Sequence, residues 1–464
     1  MRSSPISSAT CLNPSKIPSR EHEVPTRERT SGPIQPYERR TRMKYRLATS
    51  TAATILAALL STTAMAKSTI SVLRVEPSAS AEKDIYAQIA KDYQALHPDV
   101  EVKFEYIANE AYKQKLPTLL QSDARPDIFY SWGGGVMRDQ FKAGFLKDIT
   151  GQVSDTWKKT YSSSGIAAFS VDGKIVGAPI NAGEVVFWTN MDLAKKAGID
   201  IATIKTWKDF LGAVKKAKAA GLTPIILGGK DKWPVQFYYG YLAVRAAGMA
   251  GFESAIAGKD KGFASPDFVR AGAAFKELVD LAPFQPGFMS TTYEQASGSF
   301  GDGKAVFDLM GDWEYQGQKD RALDKKGVTD DHLGLLRFPA LDGGKGAATD
   351  TFGGINGWLV SKSASKEAVD FLAFMNSDKY QAMAAAQGIF IPTASAASKA
   401  IKNSYFKEMA DDLNASKYHQ IFLDQALGAD VGATANDISA DLAQGAVSPE
   451  DAAKALQDAW AQKK

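Results

Sequence analysis

Residues 81–107, "AEKDIYAQIAKDYQALHPDVEVKFEYI", change their apolar period halfway along. Ile85, Ile89, Tyr93 and Leu96 recur at helical spacing, and Pro98 stops that pattern. From Val100 onward the apolar residues alternate instead, through Val102, Phe104 and Tyr106, which is the period of a strand. A strand-like "STISVLRVEP" (68–77) lies just before, so the unit reads strand, helix, strand. The alternation continues outward. "NEAYKQKLPTLLQSD" (109–123) predicts a helix, "PDIFYSW" (126–132) a short apolar strand, and "GGGVMRDQFKAGFL" (133–146) a third helix. Strands alternating with helices predict a parallel sheet with helices on its faces, an α/β fold.

A second unit follows "VGAPINAGEVVFWTN". In "TWKDFLGAVKKAKAAG" (206–221), Thr206 is the expected N-cap with Asp209 at the third helical position. Phe210, Val214 and Ala217 form its apolar stripe and Gly221 its stop. "TPIILGG" (223–229) and "KAVFDLM" (304–310) read as strands, and the last third of the chain reads as mostly helical.

The first 66 residues differ from the rest. Residues 1–42 are rich in Pro, Ser, Thr and Arg without apolar periodicity, a composition unable to fold by burial. Residues 43–66, "MKYRLATSTAATILAALLSTTAMA", carry Lys44 and Arg46, then an apolar run, then a small-x-small box at Ala64–Ala66. That is the layout of a secretory signal peptide, which puts the start at Met43, cleavage near Ala66 and the product outside the cytoplasmic membrane. Of 55 basic and 52 acidic residues, ten and four lie before residue 67, leaving 45 and 48 and a formal charge of −3. No excess of positive charge points to nucleic acid. The single cysteine, Cys11, also precedes residue 67. The remainder therefore has no thiol for catalysis, zinc binding or a disulfide.

Catalytic signatures are missing. There is no H-E-x-x-H or G-x-S-x-G, and His97, His332 and His419 are far apart. "GSFGDGKA" (298–305) approximates a phosphate loop but ends in Ala305, where magnesium would need a hydroxyl. No metal or cofactor is expected. The positive signal is aromatic. Trp132, Trp233, Trp313 and Trp358 stand at strand ends or in glycine-rich loops beside Asp, Glu, Asn or Gln. A flat ring covers the C–H face of a sugar while edge amides and carboxylates pair with its hydroxyls. Any one of these tryptophans serves equally well as core filler. Trp188, Trp207 and Trp460 read as structural, from their places in a strand and on helices.

Taken in order, several pieces resemble the extracellular family 1 solute-binding proteins of ABC importers, the group that includes maltose-binding protein. They are "LQSDARPDIFYSW", "GKIVGAPINAGEVVFWTNMDLAKKAGI" followed by "TWKDF", "FGDGKAVFDLMGDWE", and "GGINGWLVSKSASKEAVDFLAFMNS" followed by "QGIFIPT". The resemblance implies a two-lobed periplasmic-binding-protein fold, type II-like, each lobe a mainly parallel sheet flanked by helices. The expected lobes are 67–181 plus 311–388 and 182–310 plus 389–464. The crossings between them would fall near Pro179–Val185, Leu309–Asp312 and Gly388–Pro392. It implies a monomer that binds a sugar, an oligosaccharide by preference, in the interlobe cleft and delivers it to membrane permease subunits. It performs no chemistry. The expected ligand contacts are Glu76, Ser78, Trp132, Asn181, Glu184, Trp233, Gln236, Asp312, Trp313, Gly354, Asn356 and Trp358. Acidic groups beside aromatic rings would equally suit a cation such as a polyamine. A secreted glycan-active enzyme would instead use a pair of carboxylates among Glu184, Asp312 and Glu314.

Overall fold

The computed structural model describes residues 67–463. The tail and signal peptide expected at 1–42 and 43–66 lie outside the described residues. Eleven strands are β1 (Ser68–Val75), β2 (Val100–Ile107), β3 (Ile128–Ser131), β4 (Ser170–Val171), β5 (Lys174–Ile175), β6 (Gly177–Glu184), β7 (Val186–Asn190), β8 (Phe307–Met310), β9 (Leu333–Leu336), β10 (Thr351–Val360) and β11 (His419–Ile421). The opening stretch folds as read. The helix Ala81–Leu96 buries Ile85, Ile89 and Tyr93 and delivers the chain to β2, parallel to β1 in register Ser68↔Val100. Leu96 is the exception, exposed at the helix end.

The first sheet runs β11–β10–β3–β1–β2, with β6 also on β10. Its β1–β2, β1–β3 and β10–β11 pairs are parallel, while β10 is antiparallel to β3 and to β6. The second sheet is β8–β7–β9, antiparallel throughout. Both sheets are thus less parallel than the alternation of elements predicts. The reason is directional. In the first sheet β1, β2 and β3 share a polarity, whereas β10, which brings the chain back from the second core, runs against β3. In the second sheet β7, which arrives from the first core, runs against β8 and β9. "TPIILGG" forms no full strand. Ile225 makes only isolated parallel bridges to Phe284 and Phe307.

Two apolar cores divide the molecule. The first gathers Ile70 to Ile180 with Trp358 to Phe390, Ala394 and Ala397, and the second gathers Val185 to Phe352 with Ile391 and Phe406 to Leu456. In the second core Phe187 stacks on Phe210 at 4.3 Å and Tyr241 on Phe338 at 4.2 Å between centroids. The helix Trp233–Ala257 runs through it and kinks at Gly248, whose φ of 61° and ψ of −175° suit glycine alone.

The two cores divide the chain at other places than the expected lobes. The chain changes core at Ile180–Val185, touches the second core at Ile391 and leaves the first only after Ala397, and it does not change core at Leu309–Asp312. Tyr315, Val328, Leu333, Leu336 and Phe338 all stay in the second core. The remaining crossing is β10 itself, with Phe352 in the second core and Trp358 in the first. An apolar strand followed by Gly-Asp reads alike whether it crosses or stops. Only its pairing with β7 shows that β8 stops. The three crossing segments lie side by side. β6 pairs with β10 on one edge, and on the other Ala182 donates to the Ile391 carbonyl (3.1 Å) and Thr393 to that of Ile180 (3.1 Å).

Candidate functional site

Between the two cores is a cavity of about 340 Å³. Its floor is the crossing strands. Asn181 of β6 and Asn356 of β10 are register partners, and the register shifts immediately afterwards, between Asn356 and Gly357. Such an irregularity re-aims the side chain beside it. Asp312 completes the floor from the loop after β8. Gly183 makes room for it, since a Cβ there would run into Asp312 Oδ1.

The walls are aromatic. Trp132 stands on the first lobe's side, braced edge-on by Tyr130 (5.3 Å) and Tyr112 (5.9 Å). Trp313 stands on the second, met edge-on by Trp233 (6.3 Å), Phe237 (6.3 Å) and Phe422 (6.0 Å). Gly311 allows the ring of Trp313 to fold back over the end of β8, where a Cβ would collide with it. The Gly311 carbonyl is in turn held by Trp188 Nε1 at 3.0 Å. Trp132 and Trp313 are half-buried and Trp233 is buried.

Polar groups on this floor and wall lack protein partners. Asp312 Oδ1, Asn356 Oδ1 and Trp233 Nε1 are buried and make no hydrogen bond among the described residues. A buried polar atom left unpaired costs roughly 1–3 kcal/mol. Burial, with the charge of Glu82 adding to it, pushes the Asp312 carboxyl up to about 7. Arg74 closes the first-lobe side, ion-paired to Glu82 and with its guanidinium 4.6 Å from the Tyr130 ring centroid. Burial opposes its charge while Glu82 and the tyrosines favour it, and the net effect holds it above its ordinary value.

The structure gathers Glu76, Ser78, Trp132, Asn181, Trp233, Asp312, Trp313 and Asn356 around this cavity. Four expected contacts are elsewhere. Trp358 is wholly buried in the first core, covered edge-on by Tyr86 and by Tyr130, its register partner on β3, which lines the cavity in its place. Glu184 accepts from Tyr241 Oη (3.1 Å) inside the second lobe, where burial raises its carboxyl to about 8. Gln236 follows Trp233 on the same helix but is fully buried. Gly354 contributes by smallness, since a Cβ there would press on the Phe422 ring. Glu314 opens the helix Glu314–Arg321, is buried, and accepts from Tyr293 Oη at 3.0 Å. Arg74, Lys113, Tyr130, Phe237, Tyr293 and Phe422 also line the cavity and were not expected. Only Arg74 carried a cue, a charge inside the otherwise apolar "SVLRV".

The mouth is bridged. Ser78 Oγ lies 3.3 Å from Tyr293 Oη, Arg321 donates to the Ser78 carbonyl at 3.3 Å, and Ser80 N donates to Asp320 Oδ2 at 2.7 Å. Among the described residues no group of three or more His, Cys, Asp or Glu is placed to hold a metal ion, and no helix is long and apolar enough to cross a membrane.

A family model described as "Bacterial extracellular solute-binding protein" matches residues 79–382. An uncharacterized ABC transporter extracellular-binding protein of Pyrococcus horikoshii is 27% identical over 240 residues, 51% of this chain and 54% of that protein. A probable sugar-binding periplasmic protein of Mesorhizobium japonicum is 30% identical over 227 residues, 48% and 52% of the two chains. The chain thus spans about half the length of the curated relatives it matches. A structure from work on xylan utilization by a thermophilic Caldanaerobius polysaccharolyticus superposes with a TM-score of 0.77 at 25% identity, over 84% of this chain and 99% of that one. A chitin oligosaccharide binding protein gives 0.75 at 24% identity, over 85% and 98%, a likeness of fold.

Proposed function

The chain belongs to the bacterial extracellular solute-binding protein family, and from that premise we propose that it is the substrate-binding component of an ABC importer. It takes up a sugar between its lobes outside the cytoplasmic membrane and presents it to the permease, without chemistry of its own. One observation carries the choice of ligand. Inside aromatic walls, two buried acceptors and one buried donor (Asp312 Oδ1, Asn356 Oδ1, Trp233 Nε1) have no protein partner. A sugar entering as the lobes part would supply hydroxyls for these groups while its C–H faces lie against Trp132 and Trp313. The relatives named for sugar and chitin oligosaccharide binding support the same class. At about 340 Å³ the cavity is at the small end of ligand pockets, which favours a short saccharide over a long one. The lobe division that goes with this reading follows the two cores, with the hinge in the three adjacent crossing segments.

A thermal-shift screen against mono-, di- and oligosaccharides is the direct test, since a ligand held only by the folded state raises Tm. A rise with a short saccharide, unchanged sugar on later recovery, and no response to unrelated solutes is expected. Hydrolysis of the sugar would sink the binding-only reading, and silence across all saccharides would sink the ligand class.

A further inference from the structure

At one end of the cavity the aromatic walls already hold a cation. Lys113, on the helix Asn109–Gln121, places its Nζ 5.6 Å from the Trp132 ring centroid and 5.9 Å from that of Trp233. Trp132, at the end of β3, packs against both cores, and Trp233 belongs to the second. Both distances are within the reach of a cation–π attraction. The same Nζ lies 3.3 Å from Glu110 Oε1 and 3.8 Å from Asp424 Oδ2, and its charge is felt by Asp231. Two indole rings with carboxylates behind them form the kind of cage that captures organic amines. Here the protein's own ammonium fills it.

We propose that Lys113 is a specificity-determining residue, an internal ammonium that occupies the cage between Trp132 and Trp233 and so turns amine solutes away from the cleft. The proposal rests on the reading of the cleft as a solute site and refines what that site accepts. An incoming amine would have to place a second positive charge beside Lys113 or expel it from two rings and two carboxylates. A neutral saccharide meets no such penalty and gains an N–H donor at the cavity's end. Selection against a competitor by a built-in repulsion is as effective as attraction for the preferred ligand. Without Lys113, the carboxylates of Glu110, Asp231 and Asp424 would remain beside two exposed ring faces, and the preference would reverse.

The test titrates the full folded chain with choline and with putrescine, following tryptophan fluorescence and calorimetry, for wild type, Lys113→Arg and Lys113→Met. Wild type and Lys113→Arg should bind neither amine, while Lys113→Met should bind at least one of them at least tenfold more tightly than wild type. Lys113→Gln serves the same purpose if the methionine variant does not fold. A removed lysine that leaves amine affinity unchanged in a protein of wild-type Tm overturns the proposal. Amine binding by wild type as tight as by Lys113→Met overturns it too. A saccharide titration on the same samples separates the two readings. Amine gain in Lys113→Met without saccharide binding in wild type upholds the role of Lys113 and rejects the sugar, whereas saccharide binding with no amine gain does the reverse.

Discussion

Asp312 illustrates what one buried carboxyl does to both stability and binding. Its carboxyl stands at about 7 in the folded protein because burial penalises the charge, against an ordinary value near 4. Between those values the folded state keeps a proton that the unfolded state has released. The contribution to stability is therefore fully present below about 4 and lost as pH rises through about 7. Glu184, raised to about 8 by burial, acts in the same direction. The ligand-free protein is thus expected to melt at a higher temperature at pH 5 than at pH 8, as a calorimetric series would show. Asp312→Asn should flatten part of that slope. At pH 8, where the carboxyl carries its charge, the substitution should also weaken saccharide binding about 10- to 100-fold, because a hydrogen bond to a charged group is worth about 1.5–3 kcal/mol. Isothermal titration would check this. Affinity unchanged by the substitution would remove Asp312 from the ligand's contacts. The tryptophans separate along the same line. Trp313→Ala should cost about tenfold or more in saccharide affinity, from lost stacking and area, with little loss of stability. Trp358→Ala, deep in the first core, should instead cost about 3–5 kcal/mol in urea unfolding. In sequence the two look equivalent, each a tryptophan within two residues of a glycine and next to an apolar run. What separates them is what covers each: Trp358 lies beneath Tyr86 and Tyr130, whereas Trp313 folds back over Gly311 at the cavity wall, and neither arrangement is visible to periodicity.

At the scale of elements, the amphipathic helices and the first strand–helix–strand unit were readable because their burial is periodic: Ile85, Ile89 and Tyr93 on one helix, and Phe210, Val214 and Ala217 on another, all face a core. The capping box at Thr206 and Asp209 forms as its residues suggest. The crossing strands were harder. β6, "GAPINAGE", and β10, "TFGGINGWLV", carry glycines where bulkier side chains would advertise a strand. Their glycines exist for close approach. A Cβ on Gly353 would run into the Gly183 carbonyl, so neither strand can be thickened without spreading the pair. Gly353→Ala is accordingly expected to destabilise by about 1–3 kcal/mol, the usual cost of forcing extra volume into a packed site. The urea midpoint would measure it, and the loss should appear equally with and without saccharide if it acts on the frame alone. The kink at Gly248 makes a second such position, because Ala at φ 61° and ψ −175° is strained whatever the space around it.

For the whole molecule the question is what holds the two lobes together over the cavity. Both lobes keep separate apolar cores, and the segments joining them are two strands, β6 and β10, and the extended stretch at 389–393, so the angle between lobes depends on few contacts. At the mouth those contacts are polar: Ser78 with Tyr293, the Ser78 carbonyl with Arg321, and Ser80 N with Asp320. A ligand that touches both walls favours the closed arrangement by as much as it binds closed better than open, and bonds across the mouth add to that preference before any ligand arrives. Weakening them lowers the closed fraction and reduces apparent affinity in proportion, with no change in the walls. Asp320→Ala tests this cleanly, because Asp320 lies outside the cavity lining and its Oδ2 accepts from the other lobe's backbone at 2.7 Å. The expected result is a ligand-free radius of gyration larger than wild type by X-ray scattering, an equal radius at saturating saccharide, and an affinity lowered by up to about tenfold, the equivalent of one net hydrogen bond. Melting temperature should hardly move, since neither core is touched. An unchanged radius and affinity would mean that the crossing strands and walls alone set the closure, and that the bridge at the mouth is incidental to it.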